Sequence, residues 1–227
     1  MENGFVKWTV RTLDVDAART FYDHLLEEGA GDISELPAHI RARGAKPHWL
    51  GHLVTPEPPS TIEAFVARGA TQLSGKEILR DPGGAVFALT PIGTRSRRDV
   101  VFQLLLTPDL ERTKKDYSDL FHMELGTSLE LPPHGTYHQF GWGVDEVSGL
   151  IGDITGKPHI HPQWLYFFRT ADLEEAISYV RTSGGIVIGP TTLPDGRRMA
   201  VCDDPQGAAF GLMEGPPDPA RAAPGCP

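Results

Sequence analysis

Cysteine is nearly absent. Cys202 and Cys226 are the only two in 227 residues, too few for a disulfide-stapled scaffold, and no Cys-x-x-Cys pair offers zinc or redox chemistry. Positive charge is also in deficit, with 21 Lys and Arg against 30 Asp and Glu and a formal net charge of −9. Such a surface repels phosphate backbones and anionic lipid, so nucleic acid and membrane surfaces are poor partners. No apolar run approaches the roughly 18 residues needed to span a bilayer. The first residues lead into an alternating stretch rather than a signal-type apolar block, and a cytoplasmic protein is expected. Phosphate-cradling glycine motifs are missing as well. What is present argues for an ordinary folded chain. The sequence is 40% hydrophobic, and its 25 Gly and 20 Pro are scattered, which excludes global disorder and collagen-like repeats. The length suits one large domain or two of about 110 residues.

Internal repetition decides between these. Pro47-His48-Trp49-Leu50 recurs as Pro162-Gln163-Trp164-Leu165, 115 positions on, and the same offset carries Ile62 onto Ile177 and Gly69 onto Gly184. Asp81-Pro82-Gly83-Gly84-Ala85-Val86-Phe87-Ala88-Leu89 recurs as Asp204-Pro205-Gln206-Gly207-Ala208-Ala209-Phe210-Gly211-Leu212 at an offset of 123. Thr12-Leu13-Asp14-Val15-Asp16 matches Thr107-Pro108-Asp109-Leu110-Glu111, and Tyr22 falls on Tyr117. Three matches in order identify two tandem copies of one domain.

Each copy divides again. Phe5 to Leu13 reads as a strand, Asp14-Val15-Asp16 as a helix cap, and Ala17, Phe21 and Leu25 as a helical face at spacings of four. The order repeats as strand 49–55, helix 60–68 and strands near Ile78 and at 85–89. In the second half, strand 100–107 precedes helix 109–121, and 137–142 with 147–151 form a hairpin turning at Gly143-Val144-Asp145-Glu146. Strand 164–169, helix 173–183 and strands 186–188, 199–202 and 208–213 complete it. The pattern is four βαβββ units of an α+β fold, helices on one face of curved sheets.

This arrangement resembles the vicinal oxygen chelate superfamily, which includes glyoxalase I, bleomycin-resistance proteins and extradiol dioxygenases. The resemblance is carried by Asp14-Val15-Asp16-Ala17-Ala18 with Phe21-Tyr22, and above all by the doubled Asp-Pro-x-Gly turn with its apolar strand. It covers about residues 5–214 and implies two tandem glyoxalase-like domains. Residues 1–90 form the first, 91–99 a linker, 100–214 the second, and 215–227 a disordered tail. Within the superfamily it is similar to a subgroup of uncharacterised tandem proteins in which Pro-x-Trp-Leu opens units two and four.

Metal-using members hold a divalent ion with His, Gln or Glu on each unit's first strand and Glu on its last, leaving positions open for two substrate oxygens. Carried over, these positions fall on Lys7 and Phe102, on Leu50 and Leu165, and on Ala88 and Gly211. None of these ligates a divalent cation, and Lys7 repels one. A register shift of one residue gives Trp8, Gln103, Trp49 and Trp164, of which only Gln103 could bind. No metal and no other cofactor is therefore expected.

Other candidates are weighed against structural roles. His159-Ile160-His161 has ligand-type spacing but sits between prolines in a loop, and His48 and His52 flank the start of a strand; an atypical metal site on these four histidines stays open. Asp203-Asp204 is a carboxylate pair, but the duplicate Asp81 marks Asp204 as a turn cap. Cys202 reads as a small apolar filler. Tyr137-His138-Gln139-Phe140-Gly141-Trp142 sends His138, Phe140 and Trp142 to one face. His138, Trp142, Tyr166 and Phe168 are the expected ligand contacts, and no catalytic residue is assigned.

The copies are unequal. Tyr22 to Trp49 spans 27 positions but Tyr117 to Trp164 spans 47, so the first unit is truncated by about two strands at about 3.3 Å per residue. Residues 38–41 are the only strand remnant expected there. The ligand site is expected in the second copy or at the seam between copies. The reading that results is metal-independent binding of a small hydrophobic or aromatic molecule, with homodimerisation open. The alternative is an enzyme of glyoxalase or dioxygenase type, a lyase or oxidoreductase, working through a rearranged metal site.

Overall fold

The computed structural model describes residues 4–73, 77–93, 99–132, 134–143 and 146–215. The N-terminal half contains β1 (Phe5–Thr12), α1 (Val15–Leu25), β2 (Asp32–Glu35), α2 (Ala38–Arg41), β3 (His48–Val54), α3 (Pro58–Ala67), β4 (Thr71–Gln72), β5 (Ile78–Arg80) and β6 (Val86–Thr90). The C-terminal half contains β7 (Val100–Thr107), α4 (Leu110–Phe121), β8 (Glu124–Leu131), β9 (Gly135–Gly141), β10 (Gly149–Asp153), β11 (Gln163–Thr170), α5 (Leu173–Thr182), β12 (Ile186–Thr192), β13 (Arg198–Asp203) and β14 (Ala209–Glu214). The strands form a six-stranded sheet ordered β2-β1-β3-β6-β5-β4 and an eight-stranded sheet ordered β12-β13-β14-β11-β7-β10-β9-β8. This is the expected α+β architecture.

Local chemistry sets the helix starts. Asp14, Asp109 and Asp172 each precede a helix and accept a hydrogen bond from the backbone N–H three residues on, at 3.0, 3.3 and 2.9 Å, satisfying one of the orphan donors of the first turn. In α3 the cap is Glu57, which makes no such side-chain bond, and Pro58 and Pro59 follow it with a fixed φ that suits a first turn.

The truncation of the first unit is plain. Where the third unit runs β7, α4, β8, β9, β10, the first has β1, α1, β2 and the single turn α2. Residues 38–41 are thus helix, not the strand remnant expected. Pro37 opens that turn as its cap, and the strand lies earlier, at Asp32–Glu35. Strand β8 had no sequence signal because nearly all of it is solvent-exposed, so its side chains do not alternate between core and water. The 137–151 hairpin is present, with Ile151 opposite His138; Val144 and Asp145 of its turn lie outside the described residues. So do residues 94–98 of the expected linker and residues 216–227 of the tail.

By packing, the chain divides into two compact units. One comprises Met1–Val10, Trp49–Arg98 and Phe102–Tyr166; the other comprises Arg11–His48, Asp99–Val101 and Phe167–Pro227. Each draws on both halves of the sequence. In the first unit, α3 and α4 bury an aromatic core in which Phe65 meets Tyr117 at 5.9 Å and Phe121 at 5.8 Å. Arg68 closes that helix pair on Asp116 (3.1 Å) and Asp119 (2.9 Å). In the second unit, Phe21 of α1 stacks on Tyr179 of α5 at 5.5 Å and meets Phe210 of β14 edge-on at 6.1 Å. No helix among the described residues is long and apolar enough to cross a membrane.

Candidate functional site

Each strand presents one face to the helices and one away from them, and hydrogen bonds to α4 fix which is which. Thr107 of β7 bonds Thr113 of α4 at 2.8 Å, and the Trp164 indole of β11 donates to the Tyr117 hydroxyl at 3.1 Å. By the pleat, Gln103, Leu105 and Thr107 face the helix, whereas Phe102, Leu104 and Leu106 face away. On β11, Trp164 and Tyr166 share the helix side.

The four expected ligand contacts are distributed accordingly. Trp142 is 6% exposed, lies 5.5 Å from Phe140, 6.0 Å from Phe5 and 6.4 Å from Trp164, and donates its indole N–H to the Gln103 side-chain oxygen at 3.0 Å. Tyr166 is fully buried, 5.2 Å from Phe5 and 6.0 Å from Trp8. Its hydroxyl lies against Gly51, where a Cβ would collide with it. Burial pushes that hydroxyl's pKa well above 10, outweighing a smaller downward pull from the Gly51 backbone. The structure thus gathers Trp142 and Tyr166 around Phe5 in one aromatic cluster. Phe168 belongs to the second unit, fully buried at 6.5 Å from Phe210. His138 is the half-exposed member, opposite Ser128 and Ile151 in the sheet. It adds a small downward push on the Asp153 carboxyl, whose pKa is lowered chiefly by bonds to Thr155.

The positions that the fold family uses for a divalent metal carry side chains that do not fit one. Phe102, Leu50, Leu165 and Ala88 are buried and apolar, Gly211 has no side chain, and Lys7 is a half-buried cation. Gln103, the one possible ligand that a register shift of one residue reaches, accepts a hydrogen bond from the Trp142 indole. The remaining histidines do not converge. His48 bonds the Lys46 carbonyl through Nδ1 at 2.7 Å. Burial depresses its pKa, opposed by that bond and reinforced by the Arg11 charge. His52 pairs through Nε2 with the Thr9 hydroxyl at 3.2 Å, while His159 and His161 are exposed. Among the described residues no group of three or more His, Cys, Asp or Glu is placed to hold a metal ion. Cys202 is a buried filler whose thiol pKa burial raises to about 12.

The repeated turn has a partner that the sequence did not disclose. In the first unit, Asp81 accepts from the Gly84 and Ala85 N–H groups at 2.7 and 2.8 Å, and its other oxygen accepts from the Tyr117 hydroxyl at 3.0 Å. In the second, Asp204 accepts from Gln206 and Ala208 at 2.8 and 2.9 Å and from Tyr22 at 2.8 Å. The repeated tyrosines and repeated aspartates are therefore bonded across the halves of the chain. The signal lay in the sequence, since both types recur at matching places, but periodicity does not say which copy answers which.

Comparison with known proteins places this geometry. The Glyoxalase/Bleomycin resistance protein/Dioxygenase superfamily profile matches residues 100–212. A Mycobacterium tuberculosis protein named "Putative glyoxylase CFP32" is 22% identical over 94% of this chain and 96% of its own length. Among solved structures, the Mn(II)-bound glyoxalase of Novosphingobium aromaticivorans matches with a TM-score of 0.60 and 11% identity, over 94% of this chain and 83% of that one. Homoprotocatechuate 2,3-dioxygenase from Brevibacterium fuscum, complexed with 3,4-dihydroxyphenylacetate, matches with a TM-score of 0.63 and 11% identity, over 95% and 82%. The 2,3-dioxygenase LapB from Pseudomonas sp. KL28 matches with a TM-score of 0.58 and 14% identity, over 96% and 94%. At these identities the structural matches speak to fold alone. Together with the doubled turn motif and the two sheets, the profile match assigns residues 100–212 of this chain to the glyoxalase/bleomycin resistance protein/dioxygenase superfamily.

Proposed function

We propose that the chain binds a small hydrophobic or aromatic molecule without a metal. One observation carries the reading: at the positions where the fold family gathers metal donors, this chain places Phe102, Leu50, Leu165, Ala88 and Gly211, with Lys7 as the only polar side chain. Metal chemistry of this fold needs several oxygen or nitrogen donors around one ion, and an ammonium at the same locus opposes it. Of the four expected contacts, His138 has surface to offer a ligand. Trp142, Tyr166 and Phe168 are each packed in the interior of their own unit and reach a ligand only if the core shifts. The ligand would therefore meet His138 on the face of β9 that it shares with Phe140 and Trp142.

The test is elemental analysis of the purified protein, followed by thermal-shift measurements with divalent ions, with chelator and with a panel of small aromatic compounds. The expected outcome is no stoichiometric metal, an unchanged transition with ions or chelator, and a rise with at least one aromatic compound that His138→Ala abolishes. A metal bound one to one would overturn this reading in favour of a glyoxalase- or dioxygenase-type enzyme with a rearranged site.

A further inference from the structure

Within the second unit, the face of β12, β13 and β14 that turns away from the helices joins exposed apolar side chains to an unpaired carboxylate. The strand ladder fixes which residues share it. Ile186 is opposite Asp203 and Ile188 opposite Val201 across β12–β13. Across β13–β14, Asp203 is opposite Ala209 and Val201 opposite Gly211, and Phe167 of β11 is opposite Gly211 in turn. Residues opposite one another in a ladder lie on the same side of the sheet. The alternate pair Cys202 and Phe210 lies on the helix side, since Phe210 meets Phe21 of α1. Asp203 and Val201, which alternate with Cys202, therefore face away.

This face rises from the core into solvent. Phe167 is fully buried, and its ring covers Gly211, where a Cβ would stand 2.2 Å from it. Val201, Asp203 and Ala209 are half-buried. Ile186 and Ile188 are 62% and 65% exposed, more than any other large apolar side chain among the described residues. Apolar surface of that kind gains by being covered.

The carboxylate beside them is unspent. Asp204 is consumed by its turn, accepting from Tyr22, Gln206 and Ala208. The Asp203 carboxylate takes part in no hydrogen bond or ion pair among the described residues. Burial raises its pKa, the Asp204 charge adds to the rise, and Lys46 opposes it from an exposed position without forming an ion pair. The cations of these strands lie elsewhere. Arg198 is held by Glu174 and Glu214, and Arg169 is opposite Met213, at the far end of the face from Asp203. A half-buried carboxylate without partners is stabilised by a cation that brings its own donors, and a net charge of −9 draws cations to the molecule.

We infer that the face formed by Ile186, Ile188, Val201 and Asp203 is a binding site for a small amphiphilic cation, a protonated amine carried on an apolar body. The ammonium group donates to Asp203, and the apolar body covers the two isoleucines. The site lies on other strands, in the other unit, than the one proposed around His138, and neither depends on the other.

The experiment is an NMR titration of the whole protein, isotope-labelled at its isoleucine methyls, with hexylammonium, hexanol and hexanoate at constant ionic strength. The Ile186 and Ile188 signals are assigned by their loss in Ile186→Val and Ile188→Val. Hexylammonium should shift both saturably. Hexanol, with the same chain and no charge, should bind at least about fivefold more weakly, and hexanoate should give no saturable shift. Asp203→Asn should weaken the amine by about tenfold and leave hexanol as it was. No saturable shift of these methyls with hexylammonium would overturn the site and leave the His138 reading standing. Equal affinity for hexylammonium and hexanol would also overturn it, as would unchanged amine affinity in folded Asp203→Asn. If that variant does not fold, the comparison of amine with alcohol in the wild type decides.

Discussion

Asp81 shows how a single buried carboxylate does structural work in this fold. It is 4% exposed, and burial raises its pKa, against bonds from Tyr117 and from the turn amides that pull it down. A carboxyl whose pKa is raised on folding stabilises the native state most when protonated, and that contribution fades as pH rises through the folded pKa. Asp81→Asn keeps an oxygen for the turn amides and presents its NH2 to the Tyr117 oxygen, but it cannot ionise. The wild type should therefore lose stability relative to Asp81→Asn as pH is raised from below 3.8, the ordinary Asp value, towards 6. Urea unfolding of both proteins across that range measures the difference. A gap that stays flat, or that moves in favour of the wild type, would show that burial does not govern this carboxylate. The residues in this contact were visible in the sequence as repeats, whereas their pairing was not, because a bond between Tyr117 and Asp81 joins points 36 positions apart that no local pattern connects.

At the level of elements, the two copies solve the same junction differently. Where the second unit has Gln206 in the Asp-Pro-x-Gly turn, its side-chain oxygen accepts from the Leu13 and Asp14 N–H groups at 3.0 and 2.7 Å and its amide donates to the Asp14 carbonyl at 2.9 Å. The first unit has Gly83, where a Cβ would lie 2.7 Å from the Thr107 hydroxyl. There Pro108 has no N–H to satisfy, and the Thr107 hydroxyl takes the Asp109 N–H at 3.2 Å. Thr107 is held in turn by Thr113; the matching residue of α1 is Ala18, and the Thr12 hydroxyl finds no partner among the described residues. Gln206 thus supplies the helix entry of α1 with what threonine supplies to α4. Gln206→Ala should cost about 1 kcal/mol, the usual net worth of such bonds, and lower the melting temperature by roughly 2–4 °C for a chain of this size. Calorimetry would detect it; an unchanged transition would mean that water replaces the glutamine fully. Helices α1, α3, α4 and α5 and the doubled turn were legible because capping aspartates, apolar spacing and Asp-Pro-x-Gly are local signals. Strand β8 and the turn α2 were not, since one is exposed throughout and the other is too short to show a period. The candidate site was legible only in part: the apolar character of the metal positions followed from sequence, but not which face of the sheet holds Trp142 and Tyr166.

Across the whole molecule, the repeat and the packing follow different divisions of the chain. The hydrogen-bonded sheets keep residues 5–90 apart from residues 100–214, yet each compact unit mixes segments of both halves. Tyr117 and Phe121 from the second half close over Phe65, Phe87 and Asp81 from the first. Tyr22 and Phe21 from the first half close over Phe210 and Asp204 from the second. A half-chain on its own would expose these aromatic faces and leave a buried carboxylate without its tyrosine, losses that together exceed the margin by which a domain of that size is stable. Residues 1–93 and 99–215 produced separately should therefore each lack near-ultraviolet circular dichroism and bind a hydrophobic dye, and mixing them should restore the native spectrum. A half that folds alone as a monomer, with its own cooperative transition, would show instead that each sheet carries enough core for itself. Mutating Tyr117 or Tyr22 to Phe in the mixed system then separates the two contributions. Each should weaken reassembly by about tenfold, since a buried hydroxyl-to-carboxylate bond is worth about 1.5 kcal/mol or more.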